Sequence, residues 1–287
     1  MPRPEWANWN GAEMPLSDVR VSVLDRAYLF GDGVYEVFRV YNGQMFLDRP
    51  HFVRLHDSLA QLRIVTDVDR LEQRVRDTLA HSGFREGQVY LQVSRGEAPR
   101  SHAFPNPAVT PNELIYVREY DKDPYAESRE AGIRALIVPD LRWKRCDIKS
   151  LNLLGNVLAS QAAAEANCDE AIMVAEGGTI TEGSHSTVFG VRNGALLTAP
   201  LDSNILPGIT RKLVLELADR CGIRVEEHPF TLTSLNTLDE LFVTSTIAEV
   251  LPIVEIDSHT WKTASPGPVT RQLQVAYREN VLLVCGG

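Results

Sequence analysis

The segment from Val19 to Leu47, VRVSVLDRAYLFGDGVYEVFRVYNGQMFL, alternates apolar and polar side chains. That period predicts a strand, a loop at Phe30-Gly31-Asp32-Gly33, and a hairpin turning at Asn42-Gly43, a pair suited to the left-handed backbone of a two-residue turn. Between Pro50 and Leu62 the apolar residues Phe52, Leu55, Leu59 and Leu62 recur at helical spacing, with Arg54 off the stripe. A second helix runs from Val68 to Ser82 and stops at Gly83. GQVYLQVSRG and PNELIYVREY read as neighbouring strands, and the basic, proline-punctuated RGEAPRSHAFPNP between them reads as a loop. The opening stretch to Leu16 reads as loop, with Trp6 and Trp9 as apolar anchors.

After the polar run DKDPYAES the pattern restarts with IRALIVPD as a strand, then a helix on which Leu151, Leu154 and Leu158 form the apolar face. AIMVA, TVFGV and ALLTA are short strands, the last two joined through Asn193-Gly194. NILPGITRKLVLELADRCG is a turn leading into a helix that Gly222 closes, and DELFVTSTIAEVLPIVEID gives two more strands around Thr244-Ser245-Thr246. A last helix covers Val269 to Asn280. Strands and helices mixed in both halves make this an α/β (α+β) chain. The division expected is a domain at residues 1–120, a linker at 121–126 and a second domain at 127–287.

Composition narrows the classes. With 287 residues, 44% hydrophobic and 23% charged, the chain can bury a substantial core. A formal charge of -9 argues against long nucleic acid or an anionic membrane as partner. The N-terminus lacks the apolar run of a secretory signal, no window is apolar enough for a membrane span, and the four cysteines show no CxxC spacing, so reduced thiols and a cytoplasmic location are expected. His51, His56, His81, His228 and His259 stand without an HExxH pattern or a cysteine partner, and no metal site is inferred.

One stretch carries candidate chemistry. Lys149 sits at a seam between a strand and a helix, and Glu182 follows the glycine-rich turn GGTITEG. A lysine can act as a covalent nucleophile toward a carbonyl cofactor, and a carboxylate can keep a pyridine ring protonated. Lysines are ordinarily solvated charges, and a carboxylate after such a turn is ordinarily exposed, so the residues alone leave both readings open.

The words around them close the gap. CDIKSLNLLGNVLA, then EAI, then TEGSHSTVF resemble the core of the fold-type IV aminotransferases that use pyridoxal 5'-phosphate (PLP), and the D-amino acid aminotransferase branch in particular. The likeness runs from FGDGVYEV through HFVRL and SRGEAPRSHAFP to LFVTST. It implies a small N-terminal α/β domain, a larger C-terminal pseudo-barrel domain, and a homodimer whose active site is shared across the interface. It also implies that Lys149 carries the cofactor and shuttles the proton, and that Glu182 faces the ring nitrogen. Leu206 would pack on the ring, while Ile209, Thr210, Thr246 and Arg54 hold the phosphate. Arg142 and Glu170 would orient Arg54, and Tyr35 with Arg100 and His102 of the PRSH segment would bind the substrate α-carboxylate. Ser184, His185 and Ser186 replace a run of serines usual in the family, and Thr187 stands where asparagine is common. The reaction implied is amino transfer from a D-amino acid to a 2-oxo acid. The rivals are an (R)-amine or branched-chain L-amino acid transaminase, an aminodeoxychorismate lyase-like enzyme, or a PLP-binding scaffold without turnover.

Overall fold

The structure, a computed structural model, describes residues 5–257, 259–260 and 266–286. The chain divides into two compact units: Met1–Lys122 with Ile148–Asn152 and Val284–Gly287, and Asp123–Asp147 with Leu153–Leu283.

The N-terminal unit contains β1 (Trp6–Trp9), β2 (Ala12–Pro15), α1 (Arg26–Phe30), β3 (Gly33–Tyr41), β4 (Gln44–Met45), α2 (Asp48–Leu62), α3 (Val68–Ser82), β5 (Gly87–Ser94) and β6 (Asn112–Glu119). Its strands form one antiparallel sheet in the order β2-β1-β6-β5-β3-β4. Alternate residues Val89, Leu91 and Val93 of β5 face Phe52, Leu55 and Leu59 of α2 and Leu71, Val75 and Leu79 of α3 in one core. The opposite face carries a row of phenols, with Tyr35 stacked on Tyr90 at 5.9 Å and Tyr90 on Tyr116 at 4.8 Å.

Two expectations fail here. Residues 5–16 form a hairpin rather than a loop, turning at Asn10 (φ 53) and Gly11 (φ 94), the same Asn-Gly solution used at Asn42-Gly43 and Asn193-Gly194. Residues 19–24 form no strand, and the short α1 follows, its first turn capped by the side chain of Asp25.

The lysine segment belongs to this unit. β4 covers only the end of β3, at Val40 and Tyr41, and leaves the first half of that edge open. Residues 148–152 fill it: the Tyr35 N–H donates to the Lys149 carbonyl at 3.1 Å and the Leu151 N–H to the Gly33 carbonyl at 3.0 Å. A Cβ at Gly33 would lie 2.6 Å from the Val93 carbonyl and 2.8 Å from Leu151, so only glycine admits the segment. Ile148 is buried in the same core and anchors it.

The C-terminal unit contains α4 (Ala126–Ala131), β7 (Ile133–Pro139), α5 (Leu154–Glu165), β8 (Glu170–Val174), β9 (Ile180–Gly183), β10 (Thr187–Arg192), β11 (Ala195–Thr198), α6 (Ile209–Arg220), β12 (Val225–Glu227), β13 (Glu240–Ser245), β14 (Glu249–Ile256), β15 (His259–Thr260) and α7 (Pro268–Cys285). The sheet runs β12-β11-β10-β13-β14-β7-β8-β9, with β15 paired to β14. β9 ends this order, yet β10, which follows after a tight turn closed by the Gly183 N–H on the Ser186 carbonyl (2.7 Å), lies near the other end. That connection requires the sheet to curl toward a barrel. Helices α5 and α6 make the parallel crossovers β7-β8 and β11-β12.

The face expected of α5 is the wrong one. Leu151 precedes the helix, and Leu154 and Leu158 are exposed, while Ala159 and Ala163 pack against Val138, Ala171 and Met173. The helix lies so close to its neighbours that small side chains are what fits: a Cβ on Gly155 would sit 3.1 Å from the backbone of Arg142. α7 also extends five residues past the expected Asn280.

Candidate functional site

In the N-terminal unit the backbone of Lys149 is gripped on both sides, its carbonyl by Tyr35 and its N–H by the Ser58 Oγ at 3.2 Å. Its half-buried side chain places Nζ 4.1 Å from the centre of the Tyr35 ring, so the phenol row is a floor for the amine. The lysine and the tyrosine named from the sequence are therefore neighbours.

Arg54 is buried, not on a solvated helix face, and a residue passed over in the sequence explains it. Glu36 lies on the core-facing side of β3 between Val34 and Phe38, entirely shielded from solvent. Arg54 donates to it from Nε and Nη2 at 2.8 Å each, and His51, one helical turn before Arg54, meets it through Nδ1 at 2.7 Å. Burial alone would push the Glu36 carboxyl up, but Arg54 and His51 overcome this and hold it at about 2. Burial also lowers the His51 pKa, against the pull of Glu36. The signal was legible as an acid in the apolar register of a strand, which demands a partner. Glu36 is thus a carboxylate that orients Arg54, while Arg142 donates to Glu182 and Glu170 accepts from Ser184 and Ser186.

Arg100 and His102 are exposed and gather over Phe30. The guanidinium carbon of Arg100 lies 5.3 Å from the ring centre, and the imidazole of His102 5.5 Å.

In the C-terminal unit Glu182 lies within β9 and is buried, so of the two readings the residues leave open the exposed turn is excluded. Arg142 donates to its Oε2, and the Leu206 N–H to Oε1 at 3.2 Å. Arg142 is itself held by Asp140 through Nε (3.0 Å) and Nη2 (2.7 Å), and Asp140 also accepts from Thr181. Burial raises the Glu182 pKa, with Arg142 opposing it. The half-buried Leu206 is therefore tied to this carboxylate through its own backbone.

Glu170, also buried, accepts from the Ser184 N–H (3.0 Å), the Ser184 Oγ (2.5 Å) and the Ser186 Oγ (2.7 Å). It thereby fixes the turn after β9, and the half-exposed imidazole of His185 meets the Ser184 Oγ through Nδ1 at 2.8 Å.

Ile209 and Thr210 open α6 behind Gly208, and among the described residues no side chain caps that helix start. A Cβ on Gly208 would lie 2.8 Å from the Thr187 Oγ1, so the approach to these N–H groups stays clear only with glycine. Thr187 pairs across the sheet with Thr244, whose buried Oγ1 has no hydrogen-bond partner among the described residues. Thr246 stands half-buried in the following turn. An uncapped helix start beside hydroxyl groups is a place for an anion. Among the described residues no group of histidine, cysteine and acidic side chains could hold a metal ion.

In the N-terminal unit an amine on an aromatic floor can take an aldehyde; in the C-terminal unit a buried acid kept by an arginine can serve a ring nitrogen, and an uncapped helix start can take a phosphate. The family model described as "Amino-transferase class IV" matches residues 33–256, and the chain belongs to that family; it is an aminotransferase of fold type IV. A D-alanine aminotransferase of Staphylococcus haemolyticus is 43% identical over 274 residues, covering 95% of this chain and 96% of that protein. Its counterpart in Bacillus licheniformis is 40% identical over 276 residues, 96% of each. Among solved structures, the branched-chain amino acid aminotransferase of Escherichia coli superimposes with a TM-score of 0.91 at 28% identity, covering 96% of this chain and 94% of that one. A T.th. branched-chain amino acid aminotransferase solved with pyridoxamine 5'-phosphate gives 0.89 at 27%, covering 97% and 94%. Among the described residues no helix is long and apolar enough to cross a membrane.

Proposed function

We propose that the protein is a D-amino acid transaminase, moving the amino group of a D-amino acid of the D-alanine or D-glutamate class to a 2-oxo acid with PLP held through Lys149. The observation that carries this reading is the identity of 40–43% with D-alanine aminotransferases over nearly the full chain, against 27–28% with branched-chain aminotransferases of the same fold. When bound, PLP supplies an aldehyde for the substrate amine and a ring that takes up the electron pair left when the α-proton departs.

The protein's own groups do the rest. Lys149 would hold the cofactor through its Nζ and, once free, would move a proton at the substrate Cα. Its backbone cannot drift, because both its N–H and its carbonyl are engaged. Glu182 keeps a proton at the ring nitrogen, a task that suits a buried carboxyl with a raised pKa held in place by Arg142. Leu206 would pack on the ring, its backbone held by Glu182. Ile209 and Thr210 offer their N–H groups to the phosphate, with Thr246 and Arg54 as further donors; Glu36 and His51 orient Arg54. Ser184, His185 and Ser186 line the turn that Glu170 fixes.

Tyr35, Arg100 and His102 take the substrate carboxylate. Tyr35 lies with Lys149 while Arg100 and His102 gather over Phe30. This grouping suits a homodimer in which Arg100 and His102 serve the partner's site. The test is a stereo-resolved screen of D-alanine, L-leucine and (R)-1-phenylethylamine with 2-oxoglutarate, beside the mass in solution. Formation of pyruvate from D-alanine by a dimer is expected; consumption of L-leucine alone overturns the substrate class.

A further inference from the structure

We propose that Arg26 is a positioning residue for the substrate-carboxylate clamp: it sets the peptide that carries Arg100 and His102, so that both side chains are arranged before an amino acid arrives. The inference rests on the proposed role of those two residues.

The loop between β5 and β6 has a firm root. The Arg26 N–H donates to the Gly96 carbonyl (3.0 Å), the Ala98 N–H to the Leu24 carbonyl (3.3 Å), and Asn112 reaches the Asp25 carboxylate (2.6 Å). Farther out the loop has no regular structure, and its exposed residues include Pro99 to Phe104. There a side chain takes over from the backbone. Arg26 Nη1 donates to the Ser101 carbonyl at 2.6 Å and to the Ala103 carbonyl at 3.4 Å. These are the carbonyls of the two residues that flank His102, so one guanidinium fixes the peptide on both sides of the imidazole.

Arg26 is buried and cannot wander. Its Nε donates to Asp32 at 2.7 Å, and the same carboxylate receives Arg95 through Nε (2.8 Å) and Nη2 (3.0 Å). Arg95 in turn donates to the Leu62 and Arg63 carbonyls, where α2 ends, and lies 3.6 Å above the ring of Phe104. A chain of charged hydrogen bonds thus runs from α2 through Arg95, Asp32 and Arg26 to the loop. Phe30 completes it. The guanidinium carbons of Arg26 and Arg100 lie 4.9 Å and 5.3 Å from its centre, and the His102 ring 5.5 Å. Arg100 and His102, both exposed, therefore stand on an apolar support.

Ordering such side chains in advance lowers the cost of binding a carboxylate and leaves the proton transfers alone. Lysine in place of Arg26 keeps the charge but cannot reach Asp32 and both carbonyls at once. In the holoenzyme, Arg26→Lys is expected to raise KM for D-alanine and Ki for propionate, a carboxylate without an amine, by about tenfold. kcat should stay within about twofold.

Arg100→Ala tests the clamp itself, and combining Arg26→Lys with loss of both clamp residues tests the link. If Arg26 acts through the clamp, Arg26→Lys raises KM less than about twofold once Arg100 and His102 are both replaced by alanine. Phe30→Leu, which removes the aromatic support shared by Arg26, Arg100 and His102 while leaving the hydrogen-bond partners of Arg26 in place, is expected to move KM and Ki in the same direction. Should Arg26→Lys fail to fold, Asp32→Asn, which takes away the counter-charge that holds Arg26, replaces it and is expected to raise KM and Ki in the same way. Equal effects of Arg26→Lys on kcat and KM, no effect at all, or full additivity with the loss of Arg100 and His102 would overturn the inference. No change in KM or Ki for Arg100→Ala would instead overturn the clamp beneath it.

Discussion

Replacing Glu36 by glutamine removes the charge from the carboxyl that binds Arg54 and His51 while keeping its shape. In the folded protein Glu36 titrates at about 2 instead of 4.5. At about 1.4 kcal/mol for each tenfold change in acid strength, that difference corresponds to about 3 kcal/mol in favour of the ionised form. Uncovering one member of a buried charged pair costs about 3–5 kcal/mol by comparison with other such pairs, which agrees in size. Because the folded pKa is depressed, this stabilisation is fully present above about 4.5 and is lost as the pH falls toward about 2. His51 adds to the same trend, because burial lowers its pKa in the folded state and the unfolded chain gains its proton first as the pH falls below 6.5. Urea unfolding of the PLP-loaded protein should therefore show Glu36→Gln weaker by about 3 kcal/mol at about pH 7, with the difference from the parent shrinking between about pH 4.5 and about pH 3. Equal stability near neutral pH, or a difference that does not change with pH across that window, would refute the reasoning.

Other outcomes follow from the same geometry. Borohydride reduction of the PLP-loaded protein should leave the pyridoxyl label on Lys149 in a peptide map, and Lys149→Ala should lose both label and turnover, by at least about a thousandfold. Glu182→Gln removes the acid at the ring nitrogen and should lower kcat at least about a hundredfold while PLP affinity, read by fluorescence titration, changes less than about tenfold. Gly208→Val would force side-chain atoms toward the Thr187 Oγ1, 2.8 Å from the added Cβ, and should weaken PLP binding more than it lowers the melting temperature of the apoprotein.

Much of the N-terminal unit could be read along the chain. β5 alternates buried and half-exposed residues from Gly87 to Val93, α2 buries Phe52, Leu55 and Leu59 at helical spacing, and two Asn-Gly pairs mark their hairpins. The third pair, Asn10-Gly11, was hidden because its flanking strands are four residues each and too short for a period to show. For Glu182 the residues leave an exposed turn open, because the two glycines before it dominate the local pattern. It became a buried strand residue because β9 pairs with β8. α5 misled in the opposite way: its leucines promised a core face, and the close approach to β7 and β8 selected its alanines instead.

The amino-acid sequence by itself determined the local stereochemistry, namely where strands alternate, where helices repeat and where the backbone can turn with positive φ, along with the residue words that mark the aminotransferase family. Those depend on neighbours within a few positions. The tertiary structure alone decided that residues 148–152 complete the open edge of β3, that Glu36 holds Arg54, and that Arg26 reaches the carbonyls on either side of His102. The first and last of these contacts join groups 75 or more positions apart, and the Glu36 pair joins a strand to a helix. Such partners are chosen by which edge is unpaired and which buried charge lacks a counter-charge, quantities that exist only once the chain has packed.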